Sequence, residues 1–134
     1  LTGDMFDETP TLAVMDVSFI SIRLILPAAL RVLGEDGRMI SLVKPQFEAG
    51  RADVGKGGIV TSPKVHARVL REIADFAPTL GWQVRALEAS PISGGDGNIE
   101  FLADMAPQAR CDAHVTPEAI ETLVRRTHQA MRSR

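Results

Sequence analysis

Short apolar runs separated by helical patterns constrain the fold more than any other feature of this sequence. Residues 12–17 (LAVMDV) and 38–43 (RMISLV) are short and largely apolar, as buried strands are. Between them, residues 21–33 carry apolar side chains at the spacing of one helix face. Strands that alternate with helices are typical of a parallel sheet with right-handed crossovers. The sequence therefore predicts an α/β fold in which residues 12–17 form a central strand.

The rest of the chain extends this pattern. One proline, Pro27, interrupts the helical pattern and favours a late start or a kink in that helix. The last two strands are separated by a short loop and can pair antiparallel. The further predicted elements are a glycine-containing loop over 44–59, a helix from Thr61-Ser62-Pro63 to about Leu80, a strand over 82–89, a turn-rich loop over 90–97, a strand over 98–106 and a tail helix that begins at Thr116-Pro117.

Composition excludes several classes of protein. The chain has 134 residues and a net charge of −2, so one domain is expected, and any contact with nucleic acid must come from a local basic patch. Cys111 is the single cysteine, which excludes an internal disulfide and fits a reducing compartment. The first ten residues are acidic and lack the features of a signal peptide. No apolar stretch reaches the ~18 residues of a membrane span. We therefore expect a soluble, cytoplasmic protein.

Three polar residues are predicted to meet at one edge of the sheet. Asp16 and Lys44 lie near the carboxyl ends of their strands, where open α/β sheets bind ligands. Glu100 falls within the final predicted strand between two apolar neighbours, a costly position for a carboxylate without a partner. From the residues alone, this trio can be either a catalytic group or a salt-bridge cluster.

Four stretches resemble one enzyme family. The stretches are MDVSFISI (15–22), LVKPQFEAGR (42–51), VGKGGIV (54–60) and SPISGGDGNIEF (90–101). Together with His66, they resemble the FtsJ-like methyltransferase domain of the TlyA family, whose members are often labelled haemolysins. The resemblance implies an S-adenosylmethionine-dependent ribosomal RNA ribose 2′-O-methyltransferase. It also implies a Rossmann-like sheet of which residues 1–106 supply about the second half, with parallel strands and a final antiparallel strand, while 107–134 form a linker and a C-terminal helix.

The resemblance assigns roles to the polar trio. FtsJ-like enzymes use a Lys-Asp-Lys-Glu tetrad, and its last three members match Asp16, Lys44 and Glu100. Lys44 in its neutral form would take the proton of the 2′-hydroxyl or steer its oxygen, and the two carboxylates would position it. Asp16 would also contact the cofactor, S-adenosylmethionine. The family's first tetrad lysine, its glycine-rich cofactor loop and its S4-type RNA-binding module would lie upstream, so we expect this chain alone to be inactive.

Weaker signals concern RNA and histidine. The sequence Gly55-Lys56-Gly57-Gly58 lacks the spacing of a phosphate-binding loop, but Arg51 and Lys56 could guide an RNA backbone. His66 is expected to cap a helix or to be solvated. His114 and His128 have no partners at metal-ligand spacing, so no metal site is predicted. The arginines of the tail helix, Arg125, Arg126, Arg132 and Arg134, suit the helix dipole without any RNA.

Two alternative functions remain open at this point. The haemolysin label suggests a membrane-active cytolysin, although the sequence has no spanning or amphipathic insertion segment. The chain could also be a catalytically idle domain that acts in assembly or regulation. The expected partner is ribosomal RNA or a ribosomal subunit, with no membrane contact, and the sequence leaves the oligomeric state open.

Overall fold

The computed structural model describes residues 10–17, 20–34, 36–91, 97–111 and 113–132. Its helices and strands are β1 (Leu12–Met15), α1 (Ile22–Val32), β2 (Arg38–Val43), α2 (Pro45–Glu48), α3 (Pro63–Phe76), β3 (Trp82–Ala89), β4 (Phe101–Pro107) and α4 (Pro117–Arg132). Short 3₁₀ turns cover Arg51–Asp53, Lys56–Gly58, Ala77–Leu80 and Gln108–Arg110. The predicted turn-rich loop over 90–97 falls largely outside the described residues.

The four described strands form one sheet in the order β1-β2-β4-β3. β1 pairs parallel to β2, whereas β4 pairs antiparallel to both β2 and β3. β1, β2 and β3 therefore run in one direction, and β4 is inserted between β2 and β3 in the other. This confirms the predicted α/β class with parallel strands and a final antiparallel strand.

The core lies between the sheet and the helices that cover it. Apolar side chains of α1 and α3 share this core with alternate residues of β2 and β4, and α4 packs on both α3 and β3. One face of α3 is buried along most of the helix, and two residues of α4 are also almost fully buried. The residues that define these faces are Leu26 and Leu30 of α1, Met39 and Val43 of β2, Val69 and Ile73 of α3, Phe101 and Met105 of β4, and Ile120 and Val124 of α4.

The bounds of one predicted strand were wrong, and another strand lies at the edge of the described sheet. β1 is an edge strand of the described sheet, with Leu12 57% and Val14 75% exposed, because no described strand pairs with its outer side. β4 begins at Phe101, so Glu100 precedes the strand instead of lying inside it. An apolar run indicates that a strand is suited to burial. The run itself does not show which neighbouring strands would cover it.

The loop predicted over 44–59 has more structure than expected. It begins with α2, in which Pro45 occupies the first helical position, where its missing N–H costs nothing. Two of the 3₁₀ turns follow, at Arg51–Asp53 and Lys56–Gly58. The chain after β2 is therefore folded back on the molecule at the edge where β2 ends.

The helix α1 begins at its predicted start, and the expectation of a late start at Pro27 was wrong. The reason is a buried carboxylate that binds the first turn. Glu48 Oε2 accepts the backbone N–H of Ile22 at 2.8 Å, and Oε1 accepts the hydroxyl of Ser21 at 2.7 Å. Arg23 Nε lies 3.8 Å from Glu48 Oε1. A carboxylate at a helix N-terminus satisfies free N–H groups and opposes the helix dipole, so the helix forms from Ser21 onward.

We predict that Glu48→Gln lowers the free energy of unfolding by about 1–3 kcal/mol. The amide keeps the shape of the side chain but removes its charge, and one of its two acceptor atoms becomes a donor that faces the donors of α1. Urea unfolding followed by circular dichroism measures the change. The matched control is Glu88→Gln, an exposed glutamate of β3, which should stay within about 0.5 kcal/mol of the wild type. Equal effects of the two substitutions would contradict a special role for Glu48.

Candidate functional site

The carboxyl ends of β1 and β2 bring Asp16 and Lys44 into direct contact. Lys44 Nζ lies 2.5 Å from Asp16 Oδ1. The side chain of Lys44 is 13% exposed, whereas that of Asp16 is 58% exposed. The contact arises because the two parallel strands end at the same edge, with Met15 opposite Ser41 in their register. The structure therefore places a largely buried ammonium group beside an exposed carboxylate.

Glu100 reaches the same edge from the antiparallel strand. Val43 and Phe101 form a register pair of β2 and β4, so Lys44 and Glu100 are the next residues on the two chains. Residues opposite each other in such a pair project to the same face. Glu100 is 7% exposed, and its Oε2 accepts a hydrogen bond of 3.0 Å from Gln46 Nε2. The structure thus brings Asp16, Lys44 and Glu100 together at one edge of the sheet.

Gln46 is a site residue that the sequence reading missed. It belongs to the LVKPQFEAGR stretch, but no pattern in the sequence pairs it with Glu100, 54 positions away. Two structural features make the contact. Pro45 starts α2 directly after Lys44, and the short helix brings Gln46 within reach of the residue before β4. The Lys-Pro-Gln order therefore places Lys44 next to Asp16 and, two residues later, Gln46 next to Glu100.

The glycine-containing loop carries the two predicted RNA-contacting residues. Arg51 and Lys56 are both exposed, and neither takes part in the Asp16–Lys44 ion pair or the Gln46–Glu100 hydrogen bond. Gly57 and Gly58 have φ angles of 78° and 77°, which glycine adopts without strain. These two positions form the turn that leaves Lys56 at the surface.

Asn98 is a second residue that the sequence reading missed. It is 3% exposed, its Oδ1 accepts the backbone N–H of Val60 at 3.0 Å, and its Nδ2 donates to the carbonyl of Gly58 at 2.9 Å. One side chain thus holds the end of the glycine-containing loop. Because Asn98 is two residues before Glu100, the segment that delivers the carboxylate also anchors the loop. The Gly-Asn-x-Glu-Phe pattern was the available signal.

The sequence suggested that His66 would cap a helix or be solvated. The structure instead buries its side chain fully. Its Nδ1 lies 2.8 Å from His128 Nε2, so one ring donates a hydrogen bond to the other across α3 and α4. Its ring also meets that of Phe101 edge-to-face at a centroid distance of 5.8 Å. Burial, and then the neighbouring His128, lower the pKa of His66 to about 4, against a weaker opposing effect of the Val60 backbone. Burial and Arg132 also lower the pKa of His128.

A cavity of about 320 Å³ opens beside Glu100. Besides Glu100, its lining includes Ser90 and Ile99 near the sheet edge and Arg126 and Met131 of α4. The second half of α4 therefore reaches the edge where the polar trio lies. This side of the site was not predicted from the sequence, because the spacing of apolar residues in α4 does not indicate where the helix packs.

The described residues contain no group of three or more His, Cys, Asp or Glu side chains arranged to hold a metal ion. None of the described helices is sufficiently long and apolar to cross a membrane.

Comparisons with known proteins agree on one family. The FtsJ-like methyltransferase family model matches residues 2–106. A Bacillus subtilis protein, YqxC, provisionally named an rRNA methyltransferase, is 44% identical over 134 residues, covering 98% of this chain and 48% of the relative. The 16S/23S rRNA (cytidine-2′-O)-methyltransferase TlyA of Mycobacterium tuberculosis is 36% identical over 126 residues, covering 94% of this chain and 46% of the relative.

A solved structure shows the same fold. A protein from Streptococcus thermophilus, provisionally named a hemolysin, superposes with a TM-score of 0.87 at 42% sequence identity. The match covers 97% of this chain and 46% of that protein. The chain thus spans about half the length of the curated relatives and of the structure that it matches.

We predict that the buried His66 makes the fold less stable in mild acid. Its pKa is lower in the folded chain than the ordinary value of 6.5, so the unfolded chain binds the proton more readily. This contribution to stability is complete above about pH 6.5 and is lost as the pH falls toward about 4, with a total on the order of 3 kcal/mol. Urea unfolding at about pH 7 and about pH 5 measures it.

The test compares His66→Gln with His114→Gln. The glutamine at position 66 can still bond to His128 but does not titrate, so the loss of stability between the two pH values should shrink. His114 is exposed, and its substitution should leave the pH dependence unchanged. If His66→Gln retains the full pH dependence, other groups are responsible for it.

Proposed function

The chain belongs to the FtsJ-like methyltransferase family, and we propose that it forms the ribose-binding half of a ribosomal RNA 2′-O-methyltransferase that uses S-adenosylmethionine. One observation carries the proposal. A largely buried lysine is held by an ion pair at the carboxyl edge of the sheet, opposite a buried glutamate. The rRNA methyltransferase names of two relatives support the same substrate class.

The proposed reaction is a displacement at a methyl group. S-adenosylmethionine, when bound, would supply an electrophilic methyl group and leave as a neutral thioether. The ribose 2′-oxygen would take that methyl group, and its hydroxyl proton would pass to Lys44. Holding the oxygen in line with that methyl group accounts for much of the rate in such reactions.

Lys44 is the residue best placed to act on the hydroxyl. Asp16 fixes the direction of its amine through the ion pair, and the surrounding structure leaves the side chain 13% exposed. As an ammonium group, Lys44 donates a hydrogen bond that orients the 2′-oxygen. As a neutral amine, it accepts the hydroxyl proton during the transfer. Glu100, held by Gln46, would accept a hydrogen bond from the ribose or from Lys44.

Asp16 is the described residue that fits a contact with the cofactor. Its carboxylate is 58% exposed at the end of the edge strand β1, and it can accept hydrogen bonds from the ammonium group of the methionine portion. It also neutralises Lys44, so the site would not repel a sulfonium cation as strongly as a lone lysine would. Among the described residues, the fit to S-adenosylmethionine is therefore limited to one polar contact.

The proposed partner is ribosomal RNA or a ribosomal subunit, and the proposed compartment is the cytoplasm. Arg51 and Lys56 are exposed on the loop after α2, where they could contact phosphates that flank the target ribose. The net charge of the chain is −2, so such contacts must be local. The rRNA names of the relatives are the support for this partner.

We predict that Lys44→Ala in the natural full-length protein lowers kcat for RNA methylation by about 100-fold or more, with RNA binding unchanged. The alanine removes the amine and leaves Asp16, whose carboxylate is mostly exposed, without a large folding cost. The measurement is transfer of labelled methyl groups to rRNA, followed by mass spectrometry of the nucleosides. The expected product is a 2′-O-methylated nucleoside.

Two further variants sharpen this test. Lys44→Arg keeps the positive charge but cannot release a proton near neutral pH, so it stays inactive if Lys44 is the base and recovers partly if Lys44 only steers the oxygen. Arg31→Ala, an exposed residue of α1, serves as the control and should retain wild-type activity. A wild-type kcat for Lys44→Ala, or a base-methylated product, would contradict the proposal.

A further inference from the structure

A groove of about 430 Å³ runs between α3 and α4. Four of its nine lining residues are lysine or arginine, and both helices contribute them. Lys64 and Arg71 come from α3, whereas Arg125 and Arg132 come from α4. These residues are far apart in the sequence, so the basic surface exists only when α4 packs on α3.

The charges in this groove are poorly balanced. Its lining holds one carboxylate, Glu121, which pairs with Arg71 at 3.3 Å between Nη1 and Oε1. Within the described part of the chain, Lys64, Arg125 and Arg132 form no salt bridge. Three cations thus share a concave surface on a chain whose net charge is −2. Such a surface attracts an anionic ligand, because binding relieves the mutual repulsion of the cations.

The orientation of α3 adds to this attraction. The helix begins at Pro63, beside Lys64, so the positive end of its dipole lies near the groove. Arg125 and Arg132 are seven residues apart on α4, which corresponds to about 10 Å along the helix axis. That separation allows them to contact different phosphates of one nucleic acid strand.

The groove lies at the same edge of the fold as the polar trio. His128, which lines the groove, contacts His66, and His66 packs on Phe101, the residue after Glu100. Other residues of α4, including Arg126 and Met131, line the cavity beside Glu100. One helix therefore faces the groove on one side and the candidate site on another.

We propose that the groove between α3 and α4 binds backbone phosphates of the RNA substrate outside the reaction site. This inference rests on the proposed function for the identity of the anion as RNA. The two-helix surface holds the strand next to the edge that carries Lys44, so that a ribose several nucleotides away reaches the amine. The helix dipole alone would account for basic residues near the end of α4. This proposal gives those residues a specific ligand in addition.

The test measures RNA affinity of the natural full-length protein without cofactor, using a fluorescently labelled RNA oligonucleotide and fluorescence anisotropy. Arg132→Glu is compared with Arg31→Glu, because each replaces a basic residue in the last turn of its helix and changes the net charge equally. We expect Arg132→Glu to weaken RNA binding about tenfold more than Arg31→Glu does. Between about 50 and about 200 mM salt, the slope of log affinity should also fall by about one unit.

The double variant Arg125→Glu, Arg132→Glu should lose more affinity than either single variant. Equal affinities of Arg132→Glu and Arg31→Glu would overturn the proposal. So would loss of binding to phosphatidylserine vesicles with no loss of RNA binding, because the groove would then recognise a membrane surface. Circular dichroism spectra and urea midpoints that match the wild type show that the variants keep the fold.

Methylation kinetics separate this inference from the proposed function. The groove variants should raise KM for RNA and leave kcat unchanged at saturating RNA, whereas Lys44→Ala lowers kcat and binds RNA normally. If no variant or wild-type protein methylates RNA but Arg132→Glu still weakens binding, the proposed function fails and the groove stands. If Lys44→Ala behaves as expected and Arg132→Glu matches Arg31→Glu, only the groove fails.

Discussion

The antiparallel pairing of β4 between β2 and β3 determines where the candidate site lies. The register that places Val43 opposite Phe101 brings Glu100 to the end of β2, where Lys44 leaves the sheet. The same segment carries Asn98, which anchors the glycine-containing loop, and Phe101, against which His66 packs. A one-residue shift of this register would turn Glu100 to the other face of the sheet and separate it from Gln46. The site therefore depends on hydrogen bonds of the backbone before it depends on any charged side chain.

Two buried glutamates near this edge show how environment separates a structural role from a chemical one. Glu48 receives two hydrogen bonds from the start of α1, from the Ser21 hydroxyl and the Ile22 N–H, and it also faces Arg23. Its charge stabilises the N-terminus of that helix. Glu100 instead accepts a hydrogen bond from a neutral amide, Gln46, is opposite Lys44 just beyond the Val43–Phe101 pair, and lines an open cavity. A carboxylate with a neutral partner and access to a cavity retains its capacity to bind a substrate, which makes Glu100 the better candidate for the reaction.

The sequence predicted features that depend on local pattern and missed those that depend on packing. The bounds of β2, the N-cap of α3 at Ser62 and the mixed sheet follow from apolar periodicity and turn residues. The apolar spacing predicted the start of α1, but the contact with Glu48 that holds its first turn, from 26 positions away, could not be predicted. The burial of His66 was missed for a similar reason, since its partner lies on α4.

The site residues show the same division between local pattern and packing. Asp16 and Lys44 are recognisable because parallel strands end at one edge, a rule that applies to the sequence alone. Gln46 and Asn98 are polar residues in loops, and only the folded chain shows that each satisfies a group on a distant segment. The basic groove has the least sequence signal of all, because its lysine and arginines are contributed by two helices whose contact is not encoded in either alone.

The difference in exposure between Asp16 and Lys44 indicates how the described half of the site would be used. Lys44 extends from β2, which has a neighbouring strand on each side, and this explains its 13% exposure. Asp16 extends from β1, whose outer side has no partner among the described strands, and it is 58% exposed. The side of the site toward β4 and α4 borders the cavity that Glu100 and Arg126 line, where the proposed ribose and its phosphates would lie. The side toward β1 is open, so a cofactor contacting Asp16 would need further surface there, and relatives about twice as long as this chain have additional residues that could provide it.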